Sequence, residues 1–322
     1  MALLVLVCVV VLSVACYGLS RKGNARTTAV QAVLALTLCV FTIACPILME
    51  LTKLRNHATV PFHTPTMVFY TESLKLVVAT AIYGVQWPTL EYTGLDSLQL
   101  HSVVAYALPA LLYALQNNVN YVALTLIDPP TYQLWGCSKL VFAGGFFRVL
   151  LGRQLTSRKW LGLLVLACGM AVTTIRPAAA DTVSATAAQG IVLVLGTSAL
   201  SGLSSVFNEW LIKFQDPKAP LMLKNGLLYG FGALMTAVSC QPHAAIGDPL
   251  MFWVLVLVQA ITGLTVSLVL KYCDSLVKGF STSGGVLLAM LVSAAAFGFE
   301  LRGMFAAGFG LVCVAFYLYF GG

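Results

Sequence analysis

Charge is what this sequence has least of. Only 9% of its 322 residues are Asp, Glu, Lys or Arg, against roughly 25% in soluble domains. Meanwhile 59% are hydrophobic and the mean hydropathy is +0.91. That deficit excludes a water-soluble globular domain and places the chain in a lipid bilayer. The short alternating segments of an outer-membrane barrel are also missing, so the class is an all-α polytopic membrane protein. No polar stretch is long enough to fold outside the membrane, and any function has to be built within it. The 18 Lys and Arg give a net charge of +7, but they are scattered and form no nucleic-acid module, which argues against nucleic acid as a partner. The nine cysteines show no repeated CxxC spacing and sit in apolar stretches, as small core hydrophobes do. His57, His63, His101 and His243 fall in connections or at span ends without metal-ligand spacing. There is no HExxH and no nucleophile elbow. No metal, no cofactor and no enzymatic activity are expected. An Asn-x-Ser/Thr acceptor is absent too.

What is present is a series of long apolar runs. One span takes about 20 residues, and Pro, Gly and polar punctuation divides the chain into ten: 28–52, 64–87, 103–127, 130–152, 158–176, 187–212, 219–240, 250–272, 276–298 and 302–320. Residues 1–20 form an extra apolar segment ahead of Arg21-Lys22, readable as a signal, an anchor or a further span. With the 21–27 segment cytosolic, that side collects Arg21, Lys22, Arg26, Arg153, Arg158, Lys159, Lys213 and Lys218, against Lys53, Arg55, Arg176 and Arg302 opposite. This follows the positive-inside bias. The polar linker 177–186 separates a first five-helix repeat, 28–176, from a second, 187–320. Five is odd, so the second half is expected to be inverted relative to the first, an arrangement found in many secondary transporters.

In a chain so poor in charge, the ionisable residues inside spans are the informative ones, since each costs about 2.5–3.5 kcal/mol at the bilayer centre on insertion scales. Those residues are Glu72, Lys75, Lys139, Glu209, Lys224, Lys271 and Lys278. Tyr132, Trp135, Gly136 and Lys139 share one helical face. Tyr113, Gln116, Asn117 and Asn120 repeat that spacing in the span before, offering donors and acceptors suited to a nucleobase edge or to interhelical contacts. Ser267, Lys271, Ser275, Lys278 and Thr282 give a further polar stripe. Lys139 and Lys278 are expected on opposite sides of a central cavity, where two ammonium groups suit a phosphate or diphosphate. Lys271 reads equally as a residue of the membrane edge. Glu72 and Lys75 are spaced as an ion pair, and Glu209 is a partner for Lys224 or Lys271; structural pairing competes here with a coupling or gating role. The small residues from Gly284 onward suit close helix packing. A metabolite exporter, proton-coupled through Glu72 or Glu209, is an alternative, and so is a non-transporting scaffold. Whether the chain forms a homodimer is left open.

The run Pro109-Ala-Leu-Leu-Tyr113-Ala-Leu-Gln116-Asn117-Asn118, then Leu126-Ile-Asp128-Pro-Pro-Thr-Tyr132-Gln133 and Lys139, resembles the nucleotide-sugar transporter family. The match is to its CMP-sialic acid and UDP-galactose branch, including a UDP-sugar subgroup. Thr71-Glu72-Ser-Leu-Lys75-Leu, Ser201-Gly-Leu-Ser-Ser-Val-Phe207-Asn-Glu209, Asn225-Gly-Leu-Leu-Tyr229 and Lys271-Tyr272-Cys-Asp274-Ser-Leu-Val-Lys278-Gly279 extend it over residues 28–320. The resemblance implies a ten-helix drug/metabolite transporter fold that exchanges a cytosolic nucleotide sugar for a luminal nucleoside monophosphate across the Golgi membrane, or less expectedly that of the ER. It also implies that Asn117 and Asn118 frame the nucleotide, Tyr132 stacks or hydrogen-bonds, and Lys139 and Lys278 bind phosphate, with Tyr229 and Ser267 as further cavity positions. Two departures stand out. Trp135-Gly136 replaces the branch's polar or aromatic pair, and Asn208-Glu209-Trp210 replaces an acid followed by lysine.

Overall fold

The computed structural model describes residues 24–55, 63–89, 100–127, 129–174, 185–238, 240, 248–297 and 303–320. The expected N-terminal segment 1–20 and linker 177–186 lie outside the described residues, apart from the last two positions of the linker. Each of the ten expected spans is occupied by a helix or by two helices separated by a short break: α1 (Asn24–Arg55), α2 (Thr64–Gln86), α3 (Leu100–Ala105), α4 (Ala107–Leu126), α5 (Pro129–Gly136), α6 (Lys139–Leu151), α7 (Ser157–Thr174), α8 (Ala185–Lys213), α9 (Leu221–Ala237), α10 (Pro249–Tyr272), α11 (Ser275–Phe297) and α12 (Gly303–Phe320). A 3-10 turn, Trp87–Thr89, follows α2. Among the described residues there is no strand, and six stretches are long and apolar enough by themselves to cross a membrane. The protein is a multi-pass membrane protein.

Local chemistry explains the helix ends and breaks. Pro109 has no N–H to return to Ala105, and the third span divides at Tyr106, which bonds back to Val103 at 3.1 Å before α4 begins. The fourth span divides after Gly136, where Ser138 N–H donates to the Trp135 carbonyl and Leu140 N–H to that of Cys137, a tighter i to i−3 winding. Asp248 caps α10, its Oδ1 accepting from the Leu250 and Met251 amides ahead of Pro249 in the first turn. Asp274 does the same for α11, accepting from Val277 N–H at 2.7 Å. Pro46 removes one intrahelical bond from α1 beside the large cavity described below.

The bundle is organised by pairs. α7 packs on α12, α2 on α9, α4 on α8, α1 on both α10 and α11, and α6 on α8; α2 also meets α10, and α4 meets α9. One apolar core joins α6, α7, α11 and α12 through Phe147, Leu163, Leu166, Phe280 and Tyr319; another joins α1, α2, α9 and α10 through Leu38, Ala79, Tyr229 and Leu268. Large side chains facing outward, such as Leu36, Val85, Val149 and Tyr317, are the lipid-facing surface of such a bundle.

Small residues set the closest approaches. At the α7–α12 crossing, a Cβ on Gly308 would stand 2.5 Å from Thr173 Cγ2 and 2.7 Å from the Gly169 carbonyl oxygen. Gly308→Val therefore overpacks this crossing and should cost roughly 1–3 kcal/mol. The midpoint of thermal unfolding in detergent is expected to fall for Gly308→Val and to stay unchanged for Gly310→Ala, where nothing lies within 4 Å.

Candidate functional site

Inside the bundle, the buried ionisable groups fall into two sets. Those in the first set have partners. Lys75 Nζ lies 2.6 Å from Glu72 Oε1 and 4.5 Å from the centre of the Tyr229 ring. The pair is held from the far side by glycines, since a Cβ on Gly232 would meet Glu72 at 2.9 Å and one on Gly263 would meet Lys75 at 2.7 Å. Glu209 is completely buried and binds Lys213 at 2.6 Å. Its other oxygen accepts from the Ser275 amide at 2.7 Å, and Lys213 also donates to the Cys273 carbonyl. Buried Lys224 is saturated by the carbonyls of Ile212 and Gln215 at 2.8 and 2.7 Å.

Lys139 and Lys278 form the second set. Neither has a carboxylate within ion-pair distance among the described residues. Lys278 reaches only the Ser205 hydroxyl, at 3.1 Å. Lys139, the first residue of α6, is exposed, and the surface it meets is that of a cavity inside the bundle.

Each lysine lines its own cavity. A small one, of about 160 Å³, is bounded by Gln116, Tyr132, Gly136, Lys139 and the hydroxyls of Thr197, Ser198, Ser201, Thr282 and Ser283. A large one, of about 740 Å³, is bounded by the Glu72–Lys75 pair, Tyr113, Asn208, Tyr229, Gln259, Ser267, Lys278 and apolar side chains from α1, α2, α9 and α10. Thr282 and Val286 of α11 belong to both walls. The arrangement presents two uncompensated cations to two adjoining spaces of different character, one polar and tight, one roomy and mostly apolar. Such a pair can hold an anion of two charges, and the flanking spaces can receive uncharged groups on either side of it.

The expected stripes are therefore reshaped. Tyr132, Gly136 and Lys139 do meet around the small cavity, but Trp135 is 39% exposed and lines neither space, because the winding changes between it and Lys139. Tyr113 and Gln116 turn to different cavities. Asn117, Asn118 and Asn120 lie in α4, with side chains outside the described residues. The stripe from Ser267 to Thr282 is not one face, since the chain reverses at Cys273-Asp274: Ser267, Lys278 and Thr282 reach the large cavity, Ser275 is buried under Glu209, and Lys271 lies over the Tyr272 ring at 5.3 Å. Glu209 pairs with Lys213, four residues on along α8, and not with Lys224 or Lys271. The Glu72–Lys75 pair is as expected.

Several participants carry no signal in an isolated sequence. Asn225, fully buried, donates to Ser267 at 2.8 Å. Gln31 of α1 donates to the Tyr272 carbonyl at 2.6 Å and Gln215 to Ser102 at 2.9 Å. Asn208 and Gln259 line the large cavity. All are neutral, so scarcity of charge does not single them out; Asn208 and Asn225 fall within the family-like runs, and Gln31, Gln215 and Gln259 outside them.

Comparison with known proteins accords with this arrangement. The model of the family described as Nucleotide-sugar transporter matches residues 99–320. The chain belongs to the nucleotide-sugar transporter family. It is 29% identical over 311 residues to "CMP-sialic acid transporter 2" of Oryza sativa subsp. indica, covering 93% of this chain and 86% of that protein. It is 28% identical over 274 residues to "Probable UDP-sugar transporter protein SLC35A4" of Xenopus tropicalis, covering 81% and 84%. It is 32% identical over 235 residues to "UDP-galactose translocator" of Mus musculus, covering 69% of this chain and 60% of that protein. A solved structure titled "Crystal structure of protein" superposes with a TM-score of 0.65 at 15% identity, over 90% of this chain and 97% of that one, a likeness of fold alone. The members named here are transporters.

Breaking a buried pair by removing one partner costs about 3–5 kcal/mol. Glu209→Ala, which leaves Lys213 and the Ser275 amide without their acceptor, is expected to lose stability on that scale in a chemical or thermal melt. Arg55→Ala, which removes an ion pair whose Arg55 side chain is 57% exposed, should change it by less than about 1 kcal/mol.

Proposed function

We propose that this protein is an antiporter that exchanges a cytosolic nucleotide sugar, of the UDP-sugar or CMP-sialic acid type, for a luminal nucleoside monophosphate in the Golgi membrane. The observation that carries the reading is the pair of uncompensated lysines. An ammonium group in a membrane interior is expensive unless something neutralises it, and every other buried lysine singled out here has a carboxylate, carbonyl or aromatic partner. Lys139 and Lys278 lack one, face adjoining cavities, and suit phosphate oxygens shared between them. Tyr132 bounds the ligand on the Lys139 side and Tyr229 and Ser267 bound it on the Lys278 side; Asn117 and Asn118 are assigned to framing the nucleotide by the family resemblance alone.

The bundle divides, in this reading, into repeats 28–176 and 187–320, joined by the linker 177–186 and preceded by the hydrophobic segment 1–20. The packing pairs support the division. Exchanging each span for the one five places later turns α4 on α8 into α10 on α1, α11 on α1 into α6 on α8, and α2 on α10 into α9 on α4; α7 on α12 and α2 on α9 map onto themselves. Two contacts break the rule: α8 also meets α10 and α11, and there Glu209, Lys213, Cys273 and Ser275 are tied together. By the distribution of basic residues this is the cytosolic end. It is closed by that network and by Gln31 on Tyr272. In this reading, inverted halves that open this end and close the opposite one alternate access to one site.

Exchange follows from charge. A bound phosphate neutralises the two lysines and lets the halves rock, whereas the empty carrier must move them uncompensated and reorients slowly. Glu72, Lys75, Glu209 and Lys271 then act as coupling or gating groups around the site. A proton-coupled metabolite exporter is the second reading, favoured by the placement of Glu72 on the large cavity.

Counterflow in proteoliposomes separates the two. Preloaded UMP or CMP should accelerate uptake of the cognate nucleotide sugar at least tenfold, and Lys139→Ala or Lys278→Ala should abolish the acceleration. Uptake driven by a pH gradient and indifferent to nucleotides would establish the exporter instead.

A further inference from the structure

We propose that Asn208 reads a hydroxyl of the glycosyl unit, which occupies the large cavity, and so sets sugar preference without contributing to nucleotide binding. This rests on the nucleotide-sugar reading above and goes beyond it by giving the two halves of the ligand separate places.

The two cavities differ in a way that matches the two halves of such a ligand. Substrate and counter-substrate share a nucleotide, and only one of them carries a sugar. The common part calls for a tight space with fixed polar groups, as the small cavity provides with Gln116, Tyr132 and its row of hydroxyls. The part that is present in one direction and absent in the other needs room that tolerates both states. The large cavity, between four and five times the volume, has that room. Its apolar walls, Phe41, Val68, Met235 and Val266 among them, suit the C–H faces of a pyranose. Phosphates bridging Lys139 and Lys278 past Thr282 put the sugar on the Lys278 side.

Asn208 is a buried amide in that space with one end left without a partner. It is 5% exposed and lines the large cavity. Its amide nitrogen makes one long bond to Tyr113 Oη, 3.4 Å, and its Oδ1 is buried with no partner. Turning the amide around does not remove the deficit. Tyr113 can satisfy one end only, and the other stays open. A buried amide end without a partner is destabilising, and a sugar hydroxyl, both donor and acceptor, satisfies it in either orientation. The neighbouring charges on this wall, Glu72 and Lys75, already neutralise each other at 2.6 Å, so a neutral hydroxyl group is the fitting partner for this position.

The test compares Kd values of purified wild type, Asn208→Leu and Asn208→Ser for UMP, CMP, UDP-glucose, UDP-galactose and CMP-N-acetylneuraminic acid by isothermal titration. Asn208→Leu should bind the preferred monophosphate within twofold of wild type and lose at least tenfold for the cognate nucleotide sugar, narrowing the difference between sugars. If the leucine variant does not fold, Asn208→Ser, which shortens the group beyond reach of the sugar, must show the same split. Equal losses for monophosphate and nucleotide sugar, or no loss for either, overturn the assignment. A wild type that binds none of these nucleotides overturns the nucleotide-sugar reading itself, and does so before any variant is compared.

Discussion

A charge carried into hydrocarbon must meet a counter-charge or a ring of dipoles, and that constraint orders everything else in this bundle. Glu209 is its fullest expression. With no exposed surface, it binds Lys213 on its own helix and the Ser275 amide across the bundle, and Lys213 adds the Cys273 carbonyl. Three elements, α8, the end of α10 and the start of α11, are thereby pinned at one end of the molecule. The chain can reverse at Cys273-Asp274 inside the bundle because these groups satisfy the backbone that the reversal frees. The reversal then carries Lys278 to the cavity wall.

The same rule separates charges that have partners within the protein from those that do not. Glu72 with Lys75, Glu209 with Lys213, and Lys224 with two carbonyls are internally satisfied. Lys139 and Lys278 are not. Both are spaced along helices that are interrupted nearby, α5–α6 before Lys139 and α10–α11 before Lys278, and each interruption supplies the small polar residues, Ser138 and Ser275, that a continuous apolar helix would not accommodate. Their convergence on one pair of spaces connects the scarcity of charge to the family's chemistry. On the proposed reading, the few charges are sorted by whether their partner belongs to the protein or to the ligand.

The helical class, the ten stretches and the placement of Lys139 and Lys278 beside internal cavities were legible in the sequence, because hydrophobic length and isolated charge are one-dimensional signals. The Glu72–Lys75 pair was legible as well, both members lying on one turn. What failed was extrapolation of helical periodicity through a break. Trp135 lines neither cavity because the winding tightens at Cys137-Ser138, and Lys271 lines neither because the helix ends one residue later, at Tyr272. Pairing across the bundle was equally hidden. The sequence reading pairs Glu209 with Lys224 or Lys271; the structure pairs it with Lys213, one turn on along α8, and adds the Ser275 amide from across the bundle. Neutral amides such as Asn208 and Gln259 break no composition rule, so their place on a cavity wall becomes visible only in the fold.

The central claim is that one ligand occupies both cavities at their shared wall. Thr282, which borders both spaces, reports on this directly. In a chain whose nine native cysteines are replaced, Thr282→Cys can be labelled in proteoliposomes with a water-soluble thiol reagent, with and without nucleotide. Saturating nucleoside monophosphate or nucleotide sugar is expected to slow labelling at least tenfold. Labelling at the same rate with and without every nucleotide tested would contradict the account.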